Sequence, residues 1–202
     1  MKKQMLVLLT VSIAVLCYTV LSTNLLTAQQ AEMAVQKTNV AQWGGYSSAA
    51  AYGQHLVLVN ACGDCHTPKK MGARGPEDDS TLLMSGHPAG QPIPDVNRKE
   101  VQQKGISVTQ TLTAWVGPWG VSYAANITPD ESGIGSWTEQ QFFTALREGR
   151  AKGIAQNRHL LPPMPWSSIR HMSDEELRAV FAYLKSIPPV NNIVPNPQPP
   201  VE

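Results

Sequence analysis

Apolar positions along the chain fall into distinct regimes. Residues 5–26 are mostly apolar, with scattered Thr and Ser and no charge. That run of 22 residues is long enough to span a bilayer, which takes about 20. Further on, Ala49, Ala50, Gly53, Leu56, Val57 and Ala61 recur at intervals near three and four. This spacing predicts a helix over 48–61, with Ser47 or Ser48 as N-cap. Gly53 inside it costs roughly 1 kcal/mol against Ala, which points to close approach by another helix.

Two later helix starts carry stronger signatures. In Trp137-Thr138-Glu139-Gln140-Gln141-Phe142, Thr138 is an N-cap with Gln three residues on, and Trp137 and Phe142 occupy staple positions. That helix is expected to run to Glu148 and stop at Gly149. Met172-Ser173-Asp174-Glu175-Glu176-Leu177 repeats the design, with Ser173 and Glu176 as the box. Leu177, Val180, Phe181 and Leu184 then form an apolar stripe that ends before Pro188-Pro189.

Residues 67–126 have no sustained period. Pro and Gly punctuate them throughout, and only 108–116 alternates in part, enough for a strand or hairpin arm. Some 60 residues is long for a connection inside a compact domain. An extended excursion is expected, with Trp115 and Trp119 as packing anchors. Residues 190–202 hold four prolines and little core material, which predicts an extended tail.

Composition narrows the function classes. A net charge of +1 with 15% charged residues lacks the basic excess of a nucleic-acid binder. Sixteen Pro and fifteen Gly with 6% aromatics suit a loop-rich fold. Lys2 and Lys3 ahead of the first apolar run make a secretory signal or a signal-anchor. No clean cleavage triplet follows, so an uncleaved anchor is the expectation and a cleaved signal the alternative. Lys2 and Lys3 would stay on the cytoplasmic side and the rest of the chain outside. Cys17 reads as a membrane-buried thiol, since Leu16 is not the small residue expected before a lipidated Cys. The resulting layout is 1–30 signal or anchor, 31–45 linker, 46–190 domain and 191–202 tail.

The chemistry centres on Cys62-Gly63-Asp64-Cys65-His66. Two thiols three positions apart, followed at once by His, form the attachment signature of a c-type haem. Each thiol adds across one vinyl group of the porphyrin, and the adjacent His66 becomes the proximal iron ligand. A thioredoxin-like pair would need a surrounding βαβ pattern, and a structural zinc site a second ligand pair. Neither is present in the sequence. One motif implies one haem.

The sixth iron position has several candidates: Met71, Met84, Met164, Met172, His55, His87, His159 and His171. Met164 is favoured. Prolines on both sides of it stiffen the loop Leu160-Leu161-Pro162-Pro163-Met164-Pro165-Trp166 and reduce the entropy lost in holding a sulfur against iron. Met172 already serves as the staple of the last helix. The histidines read as scaffold, with His87, before Pro88, a loop residue placed to contact a haem propionate. Arg147, Arg150, Lys152 and Arg158 precede the Met164 loop and would pair with haem propionates, meet an acidic partner or form a solvated face.

The chain resembles the cytochrome c family, and is most similar to bacterial membrane-associated cytochromes that serve periplasmic dehydrogenases and respiratory chains. The resemblance rests on Cys62-Gly63-Asp64-Cys65-His66-Thr67-Pro68, Leu83-Met84-Ser85-Gly86-His87-Pro88, Asn126-Ile127-Thr128-Pro129-Asp130, Gly133-Ile134-Gly135-Ser136-Trp137-Thr138, Pro163-Met164-Pro165-Trp166 and Ala182-Tyr183-Leu184. It implies an all-α cytochrome c fold, three or more helices around one covalent haem c, here with a long loop-rich insertion. It implies His66 and Met164 as axial ligands. The proline whose carbonyl accepts from the proximal histidine falls on Pro76, and the helix contact of a glycine with an aromatic falls on Gly53 and Tyr183. The function implied is single-electron transfer on the periplasmic side of the bacterial cytoplasmic membrane, the protein anchored there or soluble after cleavage. Expected partners are redox proteins: a periplasmic dehydrogenase, a quinol-oxidising complex or a terminal oxidase. The rival reading is a haem enzyme or gas sensor with a labile sixth ligand.

Overall fold

In this computed structural model the backbone is described for residues 2–202 and the side chains for 18–37 and 42–202. The chain divides into two compact units, Met1–Ser48 and Ala49–Glu202. The first contains one long helix, α1 (Lys2–Gln42). The segment expected as a linker is thus helical as far as Gln42, consistent with the good helix formers Ala31 and Ala34. Most of the expected anchor, the side chains of residues 5–17, lies outside the described residues. Among the described residues no helix is long and apolar enough to cross a membrane.

The second unit is built on a helix crossing. Helix α2 (Ala49–Val59) lies against α7 (Asp174–Ser186). Leu56, Val57, Leu177, Val180 and Leu184 are buried. A Cβ on Gly53 would collide with the Ala179 carbonyl oxygen and sit 2.9 Å from Tyr183 Cβ. Any side chain there would drive the helices apart. Helix α5 (Glu139–Arg147) joins through Phe142, whose ring centroid lies 4.9 Å from that of Phe181 on α7. Both capping boxes form as their sequences dictate, Thr138 with Gln141 and Ser173 with Glu176.

The all-α expectation needs correction between residues 67 and 126. Strands β1 (Lys69–Gly72) and β2 (Gly75–Asp78) make an antiparallel hairpin. Strands β3 (Ser107–Val108), β4 (Ala114–Gly117) and β5 (Gly120–Tyr123) make a second antiparallel sheet in that order. A short helix, α4 (Arg98–Lys104), capped by the Asn97 side chain, precedes it. These strands are two to four residues long. Such lengths hold little of a period-two pattern, and β4 and β5 are buried on nearly every residue, which removes the alternation that would betray them.

The tail is extended but docked. Val121 and Gln198 exchange both backbone hydrogen bonds, at 2.9 and 3.0 Å, so the tail pairs with β5. Arg98 of α4 donates to the Gln198 side chain and to the Pro199 carbonyl. Nearer the core, Asn192 donates to the carbonyls of Ser85 and His87 and accepts from the Ala89 amide.

Candidate functional site

The Cys-x-x-Cys-His segment forms its own short helix, α3 (Cys62–His66). It is separate from α2, which ends at Val59, two residues short of the expected 61. Ala61, at φ 56°, breaks the path in a left-handed conformation that costs an L-residue about 1–2 kcal/mol. A spacing of three puts Cys62 and Cys65 on one side of α3. Both are free, half-buried thiols. Burial pushes the Cys62 thiol up to about 11, and burial also raises Cys65, with the Asp64 charge adding to it. The far end of α3 is closed by Lys69, whose ammonium donates to the carbonyls of Gly63 and Thr67 at 2.8 Å each and pairs with Asp78 at 2.7 Å.

His66 is buried, and its Nδ1 lies 2.8 Å from the Ala125 carbonyl oxygen. A carbonyl can only accept, so Nδ1 carries the proton and Nε2 keeps its lone pair. Burial lowers the pKa of the ring and keeps it neutral. This is the tautomer an iron ligand needs. The supporting carbonyl is not that of Pro76. Pro76 stands on β2 opposite Met71, in the hairpin that follows the motif. The insertion instead returns past β5 to deliver Ala125.

Main-chain bonds fix Ala125 in place. The Gly86 amide donates to the His66 carbonyl at 2.8 Å, His87 to Ala124 at 2.9 Å and Ile127 to Met84 at 2.9 Å. Gly86 adopts φ +75°, and a Cβ there would lie 2.5 Å from the Ala124 oxygen and from the Ala125 carbonyl carbon. Asn126 locks the next turn. It accepts from the amide and hydroxyl of Thr128 and donates to Ser132 and the Val190 carbonyl.

Met164 is half-buried in a loop whose base is tied by Leu160 donating to Gly149 at 2.6 Å and by the bridge between Arg150 and His159. Its exit is helix α6 (Trp166–Ile169), where the Trp166 ring stacks on His159 at 5.8 Å. The other candidates have different surroundings. Met71 is 71% exposed on β1. Met84 is buried, with its methyl 3.6 Å from where a Gly63 Cβ would stand. His87 is fully buried with both ring nitrogens engaged, Nδ1 by Thr113 and Nε2 by the Gln91 carbonyl, each at 2.9 Å. It cannot ligate without giving up one of these bonds. His55, His159 and His171 are exposed, and Met172 sits half-buried before α7.

Most of the basic residues expected near the loop have partners in this chain. Arg147 pairs with Asp174 at 2.7 Å, Arg150 donates to the Asn157 carbonyl at 3.2 Å and Arg158 to that of His159 at 2.8 Å. Arg150 Nε is nonetheless buried with no hydrogen-bond partner among the described residues. Among the described residues no group of three or more His, Cys, Asp and Glu could hold a metal ion. Two thiols and a neutral imidazole, all on α3, fit a covalent haem; Met164 and Arg150 stand on the later 149–165 segment. Sequence reasoning missed Ala125, which acts through a carbonyl and leaves no side-chain signal. It also missed Gly86 as the residue that lets that carbonyl approach.

A family model described as Cytochrome c matches residues 50–188. Over 166 residues, 81% of this chain, the sequence is 26% identical to the fructose dehydrogenase cytochrome subunit of Gluconobacter japonicus. Over 145 residues, 69% of the chain, it is 29% identical to the cytochrome c subunit of a quinone alcohol dehydrogenase from Gluconobacter oxydans. A stretch of 79 residues, 39% of the chain, is 43% identical to a subunit of the nicotinate dehydrogenase of Pseudomonas putida. The matches span 26%, 24% and 6% of those three proteins, so the chain covers no more than about a quarter of each.

Proposed function

Since the chain belongs to the cytochrome c family, we propose that it is a monohaem electron carrier, ligated by His66 and Met164, working on the outer side of the cytoplasmic membrane. The observation that carries the reading is α3: two thiols on one turn, followed by an imidazole whose Nδ1 is tied to Ala125 and whose Nε2 is free to bind iron. Haem bound there supplies one-electron chemistry between ferric and ferrous iron. The chain's own residues do the rest. Cys62 and Cys65 would hold the ring covalently, and His66 and Met164 would ligate the iron. The Nδ1 hydrogen bond orients the imidazole and raises its basicity. A thioether is soft and neutral and favours ferrous iron, so the potential lies above that of a bis-histidine haem.

The relatives named as dehydrogenase cytochrome subunits support a dehydrogenase as electron donor. The basic start and the apolar run of residues 5–26 support attachment to the membrane, with the haem unit on the periplasmic side. A cleaved, soluble form remains the alternative for that segment. Mass measurement of the mature protein tests the haem count and the amino terminus together. One haem mass on the parent, lost in Cys62→Ser/Cys65→Ser, is expected. Two haem masses, or none, would overturn the monohaem reading.

A further inference from the structure

The Met164 loop is short of donors. Residues 161–165 include Pro162, Pro163 and Pro165, which have no N–H, so only Leu161 and Met164 can donate from the main chain. Met164 spends its amide on the Leu161 carbonyl at 3.2 Å. The Pro162 carbonyl is held from outside the loop. Ser122 of β5, 5% exposed, places its Oγ 2.5 Å from that oxygen. Trp119 Nε1 lies 3.0 Å from the same Oγ. An indole N–H only donates and a carbonyl only accepts, so the Ser122 proton points to Pro162. Trp119 is itself seated over Gly117, where a Cβ would lie 2.6 Å from the indole.

Strand β5 is held on both edges, by β4 and by Gln198 of the tail. Three residues beyond Ser122 comes Ala125, whose carbonyl holds His66. One rigid segment, about 10 Å long when extended, therefore touches both the proximal ligand and the loop that carries Met164.

We propose that Ser122 is a positioning residue for the sixth ligand, and that residues 122–125 lock the two axial supports to each other. The proposal rests on His66/Met164 ligation. The insertion is then part of the redox machinery, setting how easily Met164 leaves the iron. Losing the Ser122 hydroxyl frees the Pro162 carbonyl and raises the population of molecules with a displaced methionine about tenfold, the effect of one hydrogen bond near 1.4 kcal/mol.

The test is imidazole titration of the ferric holoprotein, read from the loss of the far-red sulfur-to-iron charge-transfer band. Ser122→Ala is expected to bind imidazole about tenfold more tightly than the parent, and Ser122→Thr, which restores the hydroxyl, to return toward the parent. Trp119→Phe keeps the hydroxyl and removes only its donor. It should shift the same constant in the same direction by less, which keeps the idea testable if Ser122→Ala does not load haem. Met164→Ala serves as the reference and should lack the band altogether. If Met164→Ala lacks the band while Ser122→Ala and Trp119→Phe titrate like the parent, the positioning role is overturned and the ligation stands. If Met164→Ala keeps the band, the ligation itself fails.

Discussion

His87 shows how one buried polar residue ties the insertion to the proximal side. Its Nε2 must donate to the Gln91 carbonyl, so Nδ1 accepts from the Thr113 hydroxyl. Thr113 in turn meets Thr111, and Thr111 meets Thr109, a row of hydroxyls along the connection between β3 and β4. Burial lowers the pKa of His87 below the ordinary value near 6.5, which keeps it neutral in the fold. The unfolded chain then binds a proton that the native chain refuses. Stability is full above about pH 6.5 and declines as pH falls below it. Denaturant midpoints of the holoprotein measured from pH 8 to 5, as approximate limits, should show that decline, and His87→Gln should flatten it. Equal slopes in both would contradict the assignment. Gly86→Ala is a second test at this scale. A Cβ at Gly86 presses on Ala124 and Ala125 and weakens the bond to His66 Nδ1. The imidazole becomes less basic and stabilises ferric iron less, so the reduction potential should rise. A lower melting point with an unchanged potential would show that Gly86 matters only for packing.

The helices were the legible part of the sequence because their ends carry chemistry. Thr138 with Gln141 and Ser173 with Glu176 announce their helices locally, and both boxes form. Gly53 also stood out, as a costly residue in a helix, and its surroundings explain the cost: the backbone of α7 occupies the space a side chain would need. Gly53→Ala should therefore destabilise the domain by about 1–3 kcal/mol or more, seen as a lower urea midpoint of the holoprotein. A change of only a few tenths would mean that α2 and α7 can separate freely. Of the insertion's strands only the arm over 108–116 was legible, where β3 and β4 fall; β5, buried on nearly every residue, shows no period. Nor was the Ser122 contact, which joins residues 40 positions apart through a hydroxyl and a carbonyl. Ala61 hid the break between α2 and α3, because alanine signals helix and here takes a left-handed turn.

Across the whole second unit, the insertion and the tail behave as one support. The tail adds Gln198 to the edge of β5, engages α4 through Arg98, and uses Asn192 to gather the carbonyls of Ser85 and His87. Each bond contributes about 0.5–1.5 kcal/mol net. Removing residues 193–202 should cost at least the two Gln198 backbone bonds, about 1–3 kcal/mol, and should also weaken hold on the Met164 loop through β5. Thermal melting and the imidazole titration report these separately. A tail-less protein with parent values in both would show that the strap is ornamental.

On this account the chain fills both axial positions of one haem with its own His66 and Met164, and so passes electrons without binding a substrate at the iron. Adding carbon monoxide to the ferrous holoprotein and recording the absorption spectrum tests this most directly. No spectral change is expected in the parent, and prompt binding in Met164→Ala. Rapid carbon monoxide binding by the parent would contradict the ligation and put an enzyme or a gas sensor in place of the electron carrier.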